Sequence, residues 1–291
     1  MLRTGAKVVT EPMVTAMMIT GLPGRVDLAK RAVKSFLSQT WPRKELVIIN
    51  DSLGTPDEYR IVDGDFFCDR LRCSDYVCPV REIMLNRQNT LGDLRNIALD
   101  AAAGDWITQF DDDDWSHPKR IEAMMQRRIV GHAVVVTSHV RYSIPTNTAY
   151  VYHNPSQGCA GIMLYPRTGD RYEPMKKKED SRFYLDHFSD KVVIWENRKE
   201  FPHILLRFFH VGSISGESHV MRKYAERKWH NQWVVLQGQD GAMNEPEIRY
   251  LDKIAAEIYG FNIGDAPLRA LHGLAVQRDG GASWGTKLSF G

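Results

Sequence analysis

Two short apolar runs, residues 14–19 and 46–49, flank a single amphipathic segment, and this triplet restricts the fold more than any other stretch of the chain. Each run is too short for a core helix and too apolar to keep one face in water. Each therefore reads as a strand buried on both sides. Between them Val26, Ala29, Val33, Phe36 and Leu37 recur at helical spacing. Gly21, Pro23 and Gly24 turn the chain before that helix, and Trp41-Pro42 ends it. Strand, helix and strand in this order give a parallel pair and an α/β domain.

The alternation continues. Residues 83–85 predict a strand. Residues 91–103 predict a helix, with Leu94, Ile97, Ala98 and Ala101 on one face and Gly104 as its stop. Residues 106–110 form a strand that runs into four aspartates, and Pro118 opens another helix. Further strands are expected at 133–140, 159–165, 192–195 and 204–209, with a short helix at 179–188. Ile248, Leu251, Ile254, Ala255 and Ile258 make a late helical stripe, and the tail after Arg278 is rich in Gly and Ser.

With 291 residues, 43% of them hydrophobic, the chain is long enough to bury a core without covalent staples. Its 38 basic and 36 acidic residues leave a net charge of +2, which selects neither for nor against a polyanionic partner. No run approaches the roughly 18 apolar residues of a membrane helix. Residues 1–12 lack the apolar centre of a secretory signal. The expectation is a cytoplasmic protein without stable membrane insertion. Cys68, Cys73 and Cys78 are evenly spaced, but zinc sites use closer pairs and four ligands. Together with Cys159 they read as reduced thiols.

Asp111, Asp112, Asp113 and Asp114 are the sharpest chemical signal. Four adjacent carboxylates repel one another, and nothing in folding asks for them at the end of a buried strand. In an open α/β sheet that end is where ligands bind. A divalent cation removes the repulsion, and Mn²⁺ or Mg²⁺ commonly joins one or two carboxylates to substrate phosphates. Left unliganded, the same run is a solvated turn or a helix cap ahead of Pro118. Asn50-Asp51-Ser52 closes another strand. Gly92 to Asn96 opens a helix whose exposed N–H groups and Arg95 suit a nucleotide, with a solvated helix-surface arginine as the alternative. Lys176-Lys177-Lys178-Glu179-Asp180 places a carboxylate pair beside basic residues, either as a solvated charge run or as a general base for a hydroxyl. Arg207-Phe208-Phe209-His210 is a strand ending in a histidine, either a structural side chain or one that suits a metal or a diphosphate.

The order of these motifs resembles the family 2 glycosyltransferases with the GT-A fold. The resemblance rests on Thr20, on Ser35 to Pro42 (the S-x-L-x-Q-T-x-P pattern), on Asn50-Asp51-Ser52, on Gly92 to Asn96, and on Phe110 to Trp115. It covers residues 14–130 closely and reaches Glu179-Asp180 and His210 more loosely. It implies a Rossmann-like nucleotide-binding sheet flanked by helices, with a smaller acceptor-side subdomain. The transferase domain would span 13–215, its nucleotide half 13–130 and its acceptor half 131–215. A helical extension would follow at 216–278, then a flexible tail at 279–291.

By the same resemblance Thr20 and Asp51 hold the base, Arg95 lies against the nucleotide, and Asp111 to Asp113 form the DXD element. Asp112 is then near the ribose, and Asp113 is the metal ligand, with His210 on the metal or diphosphate. Asp180 is the catalytic base, with Glu179 beside it. Three positions depart from the family pattern. Asn50 stands where an Asp is usual, residues 21–24 replace a Tyr-Asn stretch, and residues 211–213 lack a Gly-x-Asn. The implied activity is inverting transfer of a sugar from a nucleotide-sugar donor, UDP-sugar first, to an acceptor hydroxyl with Mn²⁺ or Mg²⁺. A nucleotidyltransferase and a non-catalytic nucleotide-sugar-binding module are the alternatives. The acceptor is a saccharide or a hydroxymethylated DNA base. Basic pairs such as Arg127-Arg128, Arg198-Lys199, Arg222-Lys223 and Arg227-Lys228 offer a phosphate-tracking surface, and Trp229 and Trp233 offer stacking.

Overall fold

The structure is a computed structural model. It describes residues 11–21, 25–52, 60–62, 72–73, 76–77, 80–85, 89–143, 148–197, 201, 204–209 and 233–234. Seven strands form the main sheet. Across it they run Val192–Trp195 (β12), Ala133–Val136 (β8), Leu164–Pro166 (β11), Trp106–Gln109 (β6), Val14–Thr20 (β1), Lys44–Asn50 (β2) and Val80–Met84 (β5). β1 lies parallel to both β2 and β6, β5 extends the sheet in parallel beyond β2, and β11 enters antiparallel between β6 and β8. A second sheet runs Trp233–Val234 (β14), Thr148–His153 (β10), Ser138–Ser143 (β9), Leu205–Phe209 (β13) and Trp115–Ser116 (β7). Arg72–Cys73 (β3) and Tyr76–Val77 (β4) pair as a small ribbon.

The period of two along β1 explains why the sheet is covered on both faces. Val14, Ala16 and Met18 point to one side, where Ala29, Val33 and Phe36 of the helix Val26–Leu37 (α1) pack on them. Met17 and Ile19 point to the other, against Leu94 and Ala98 of the helix Leu91–Ala101 (α2). A short helix, Arg120–Met125 (α3), joins the first layer. The helix Glu179–His187 (α4) joins the second through Phe183 and Tyr184. Buried Glu45 fastens α2 to this sheet, its Oε1 accepting from Thr15 Oγ1 at 2.5 Å and from the N–H of Ala103 at 2.6 Å. Among the described residues no helix is long and apolar enough to cross a membrane.

Two expected strands are redrawn. Residues 133–140 are not one strand. The chain leaves the main sheet after Val136 and enters the second sheet at Ser138. The Asn197 side chain makes the break possible by accepting from Ser138 N at 2.8 Å and donating to Ser138 O at 2.9 Å, as a neighbouring strand would. Residues 159–165 begin with a 3-10 turn, Ala160–Ile162, closed by Ile162 N to Cys159 O at 2.9 Å, and only then become β11. The stripe at 248–258 lies outside the described residues.

Candidate active site

The four aspartates join the two sheets. Phe110 N still bonds Met17 O at 2.9 Å as β6 ends, and β7 begins at Trp115. The Ser35–Pro42 motif holds the far end of this link. Ser35 Oγ accepts from Ser116 N at 2.9 Å and donates to Ser116 O at 3.0 Å. Gln39 donates to His117 O at 2.9 Å and accepts from Ile121 N at 3.1 Å. The motif therefore acts as a clamp that sets where the carboxylates stand.

They stand on the wall of a cleft of about 730 Å³, the size of a small-ligand site. Buried like charges require counter-charges, and three arginines provide them. Arg25 donates to Asp112 Oδ1 at 2.8 Å and also pairs with Asp113. Arg207 donates to Asp111 at 2.7 Å and to Asp114 at 2.9 Å. Arg95, 5% exposed, reaches Asp111 at 3.2 Å and Glu179 at 3.7 Å. Burial raises Asp111, but Arg207 and Arg95 outweigh it and hold this carboxyl below its ordinary value. Asp112 is pushed up to about 7 by burial and by the charge of Asp113. Asp114 also reaches about 7, because burial and the charges of Asp113 and Asp111 exceed the pull of Arg207. Behind the tetrad Arg120 is buried on Ser116 Oγ (2.8 Å) and Gln109 O (2.7 Å), and burial pushes it down to about 10.

Asp111, Asp112, Asp113, Arg95, Glu179 and Asp180 share this cleft. Thr20 and Asp51 stand outside its lining. The Thr20 side chain lies close enough to Asp112 to favour its charged form, and Thr20 O accepts from Asp51 N at 2.9 Å. His210 lies outside the described residues. So do Arg198-Lys199, Arg222-Lys223, Arg227-Lys228 and Trp229. The backbone alone is described for Cys73 and Trp233.

The start of α2 differs from expectation. The N–H groups of Gly92, Asp93 and Leu94 are bonded within the protein. Thr90 and Asp93 form a reciprocal cap, and Gly92 N donates to Met175 O at 3.1 Å. A side chain at Gly92 would meet Glu173 O at 1.8 Å, so glycine here permits α2 to dock on the segment leading to Asp180. Arg127 and Arg128 turn back onto Ala123 O and Met125 O, and Arg127 also covers the Trp195 ring at 3.6 Å. Cys159 is buried, its thiol pushed up to about 12 by burial, which suits an inert side chain.

Glu82 gives Asn50 its physical reason. Its carboxylate accepts from Asn50 Nδ2 at 2.7 Å and from the N–H groups of Ile61 and Val62. An aspartate at position 50 would set a second negative charge against it.

Glu179 and Asp180 are adjacent but do different things. Glu179 is 5% exposed and faces Arg95, and burial raises its carboxyl against the pull of that arginine. Asp180 accepts from Ser181 N at 2.6 Å through Oδ1, and its Oδ2 points toward Gly161. Lys178, just before them, is held at φ 65°, a left-handed conformation that is unfavourable for a side-chain-bearing residue and concentrates at functional sites.

Arg25 and the pair His139–Arg141 line the cleft but were not marked by the sequence motifs, and Arg207, which opens the motif ending in His210, was given no role there. Arg141 Nε donates to His139 Nε2 at 2.9 Å, and burial, then Arg141, pushes the histidine well below its usual value, leaving it neutral. One signal was available for Arg207: a charge inside the apolar strand Leu205–Phe209.

A family model described as "Glycosyl transferase family 2" matches residues 25–229. Curated protein sequences give no match. Among solved structures, S. aureus TarS 1–349 in complex with UDP-GlcNAc is similar at a TM-score of 0.50 and 14% identity, over 85% of this chain and 72% of that one. The same TarS fragment in complex with UDP gives 0.48 at 14% identity, over 85% and 70%. A longer TarS gives 0.47 at 13% identity, and this chain spans 43% of its length. The mostly parallel sheet, the acidic link at the end of β6 and the family match agree: the chain belongs to glycosyl transferase family 2 and has the GT-A fold.

Proposed function

We propose that this chain transfers a sugar from a UDP-sugar to an acceptor hydroxyl with inversion, using Mn²⁺ or Mg²⁺. The observation that carries the reading is that Asp111–Asp114 and Asp180 face one cleft at the end of a central strand. The donor assignment draws on the similar fold of TarS, whose complex contains UDP-GlcNAc. Asp51 takes the base, Arg95 keeps its place beside the nucleotide, and Asp180 receives the proton of the attacking hydroxyl. Glu179 is held by Arg95 and keeps that arginine in position.

The residues fit a cation. Asp112 Oδ2 is buried without a hydrogen-bond partner, and Asp113 stands beside it on the cleft wall. Among the described residues no group of three or more His, Cys, Asp or Glu is arranged to hold a metal. Asp112 and Asp113 suit an ion shared with donor phosphates, the usual arrangement for Mg²⁺. When bound, it supplies charge neutralisation to the departing diphosphate. Lys177 and Lys178 on the cleft wall favour an acceptor that carries phosphates, such as hydroxymethylated DNA, alongside plain saccharides.

UDP is expected to bind more tightly with Mn²⁺ than without it, and Asp113→Asn to remove most of that difference. Calorimetry with and without Mn²⁺ reads it directly, and equal affinity in the wild type would reject the metal. Asp51→Ala is expected to weaken UDP by about 1.5–3 kcal/mol, the worth of a charge-assisted hydrogen bond. Asn50→Ala should act on stability through Glu82 instead. A silent Asp51→Ala, with GDP binding as well as UDP, would reject the base assignment. UDP release from a donor panel with Mn²⁺, followed by saccharide and hydroxymethylated-DNA acceptors, tests the activity itself.

A further inference from the structure

One face of α2 holds the chain that leads to Asp180. Gly92 N donates to Met175 O at 3.1 Å. Asn96 Nδ2 donates to Tyr172 O at 2.9 Å, and Asn96 Oδ1 accepts from Tyr172 N at 2.9 Å. Arg95 Nε lies 3.7 Å from Glu179. The three residues stand at i, i+3 and i+4, the spacing that puts side chains on one helical face. A carboxamide both donates and accepts, so Asn96 meets the two polar backbone groups of Tyr172 at once. Gly92 must lack a side chain for the contact to close, since a Cβ there would lie 1.8 Å from Glu173 O and 3.1 Å from Met175 N. Tyr172 carries the hold further. Its ring stacks on Phe183 at 4.1 Å with the planes 12° apart, and its hydroxyl accepts from Gln109 Nε2 at 3.3 Å. Phe183 lies in α4, one turn beyond Asp180. The base segment is thus held on both sides of Asp180.

We propose that Gly92 and Asn96 are positioning residues for Asp180: with Arg95 they clamp residues 172–179 onto α2 and so fix where the base stands. The inference rests on Asp180 being the base. Gly92 and Asn96 touch neither substrate, and they act only through the segment they hold. Arg95 also pairs with Asp111 at 3.2 Å, so one guanidinium ties the base segment to the acidic tetrad. The clamp therefore sets the distance between the group that takes the proton and the carboxylates that face the donor. A reacting group misplaced by about 1 Å can lose about 10²-fold in rate, which is the scale on which such a clamp matters.

The test needs no acceptor. Release of UDP from UDP-GlcNAc by water is followed with Mn²⁺ in single turnover at excess enzyme, together with UDP affinity by calorimetry and the melting temperature. Asn96→Ala is expected to lower the rate about tenfold and to keep UDP affinity within about twofold of the wild type. Gly92→Ala, whose methyl must push Glu173 away, should lower the rate by about 10²-fold. Arg167→Ala removes the bond from Arg167 Nη1 to Ala102 O, 3.0 Å, at the far end of α2, and should lower the melting temperature without changing the rate. The decisive variant is Asn96→Ala in the Asp180→Asn background. With no base left to position, the second substitution should change the residual rate by less than about twofold. The same tenfold loss in both backgrounds would overturn the clamp and leave the base standing. Wild-type release by Asp180→Asn removes the base and this inference with it. Wild-type release by Asn96→Ala, or a loss of UDP affinity as large as the loss of rate, would also overturn the proposal.

Discussion

Asp180→Asn is expected to keep its fold and its UDP affinity while transfer falls by about 10²–10⁴-fold, the usual effect of removing a general base. The geometry gives each carboxylate oxygen its own task. Oδ1 is held by Ser181 N at 2.6 Å, and an asparagine oxygen can hold the same bond. Oδ2 lies beside Gly161 on the cleft wall, and an amide nitrogen placed there cannot accept a proton. The carboxylate also lies in the first turn of α4, where a negative charge is favoured, so its loss takes a few tenths of a kcal/mol to about 1 kcal/mol from the helix. Glu179→Gln separates the neighbours. It loosens the contact with Arg95 and should leave transfer within about tenfold of the wild type. A dead Glu179→Gln with an active Asp180→Asn would move the base by one residue. Full activity in both would take catalysis away from α4.

Arg207→Met should cause the largest loss of stability among substitutions in the cleft. It removes the partner of Asp114, whose side chain is 4% exposed, and one of the two partners of Asp111. Breaking a buried pair from one side leaves Asp114 to be carried as a charge in low dielectric or to take up a proton, and costs up to about 3–5 kcal/mol. Asp114→Asn in the Arg207→Met background should recover part of this, because the amide needs no counter-charge. A urea-denaturation double-mutant cycle measures both values. Additive effects would mean that Arg207 and Asp114 are not energetically coupled.

The part of the site carried by local pattern was legible in the sequence. The strand β1, the helix α1 and the strand β2 follow from apolar spacing alone, and the aspartates fall where a buried strand must end. Their counter-charges were not legible. Arg25 and Arg207 meet the tetrad across nearly ninety residues of chain or more, a pairing that no periodicity announces. The break at Thr137 was hidden for a related reason. Residues 133–140 are apolar enough for one strand, and only the distant Asn197 side chain shows where one sheet hands over to the other. Gly161 was read as part of a strand, because a single turn within an apolar run leaves no mark on hydrophobic spacing.

The tetrad is also the covalent tie from β6 to β7, one strand in each sheet. A ligand held there is lost if either layer melts, so its binding energy is added to the resistance of both. At one hundred times its dissociation constant a nucleotide contributes about 2.7 kcal/mol in this way. A bound nucleotide then works as a removable rivet, tying the stability of two neighbouring sheets to its own occupancy.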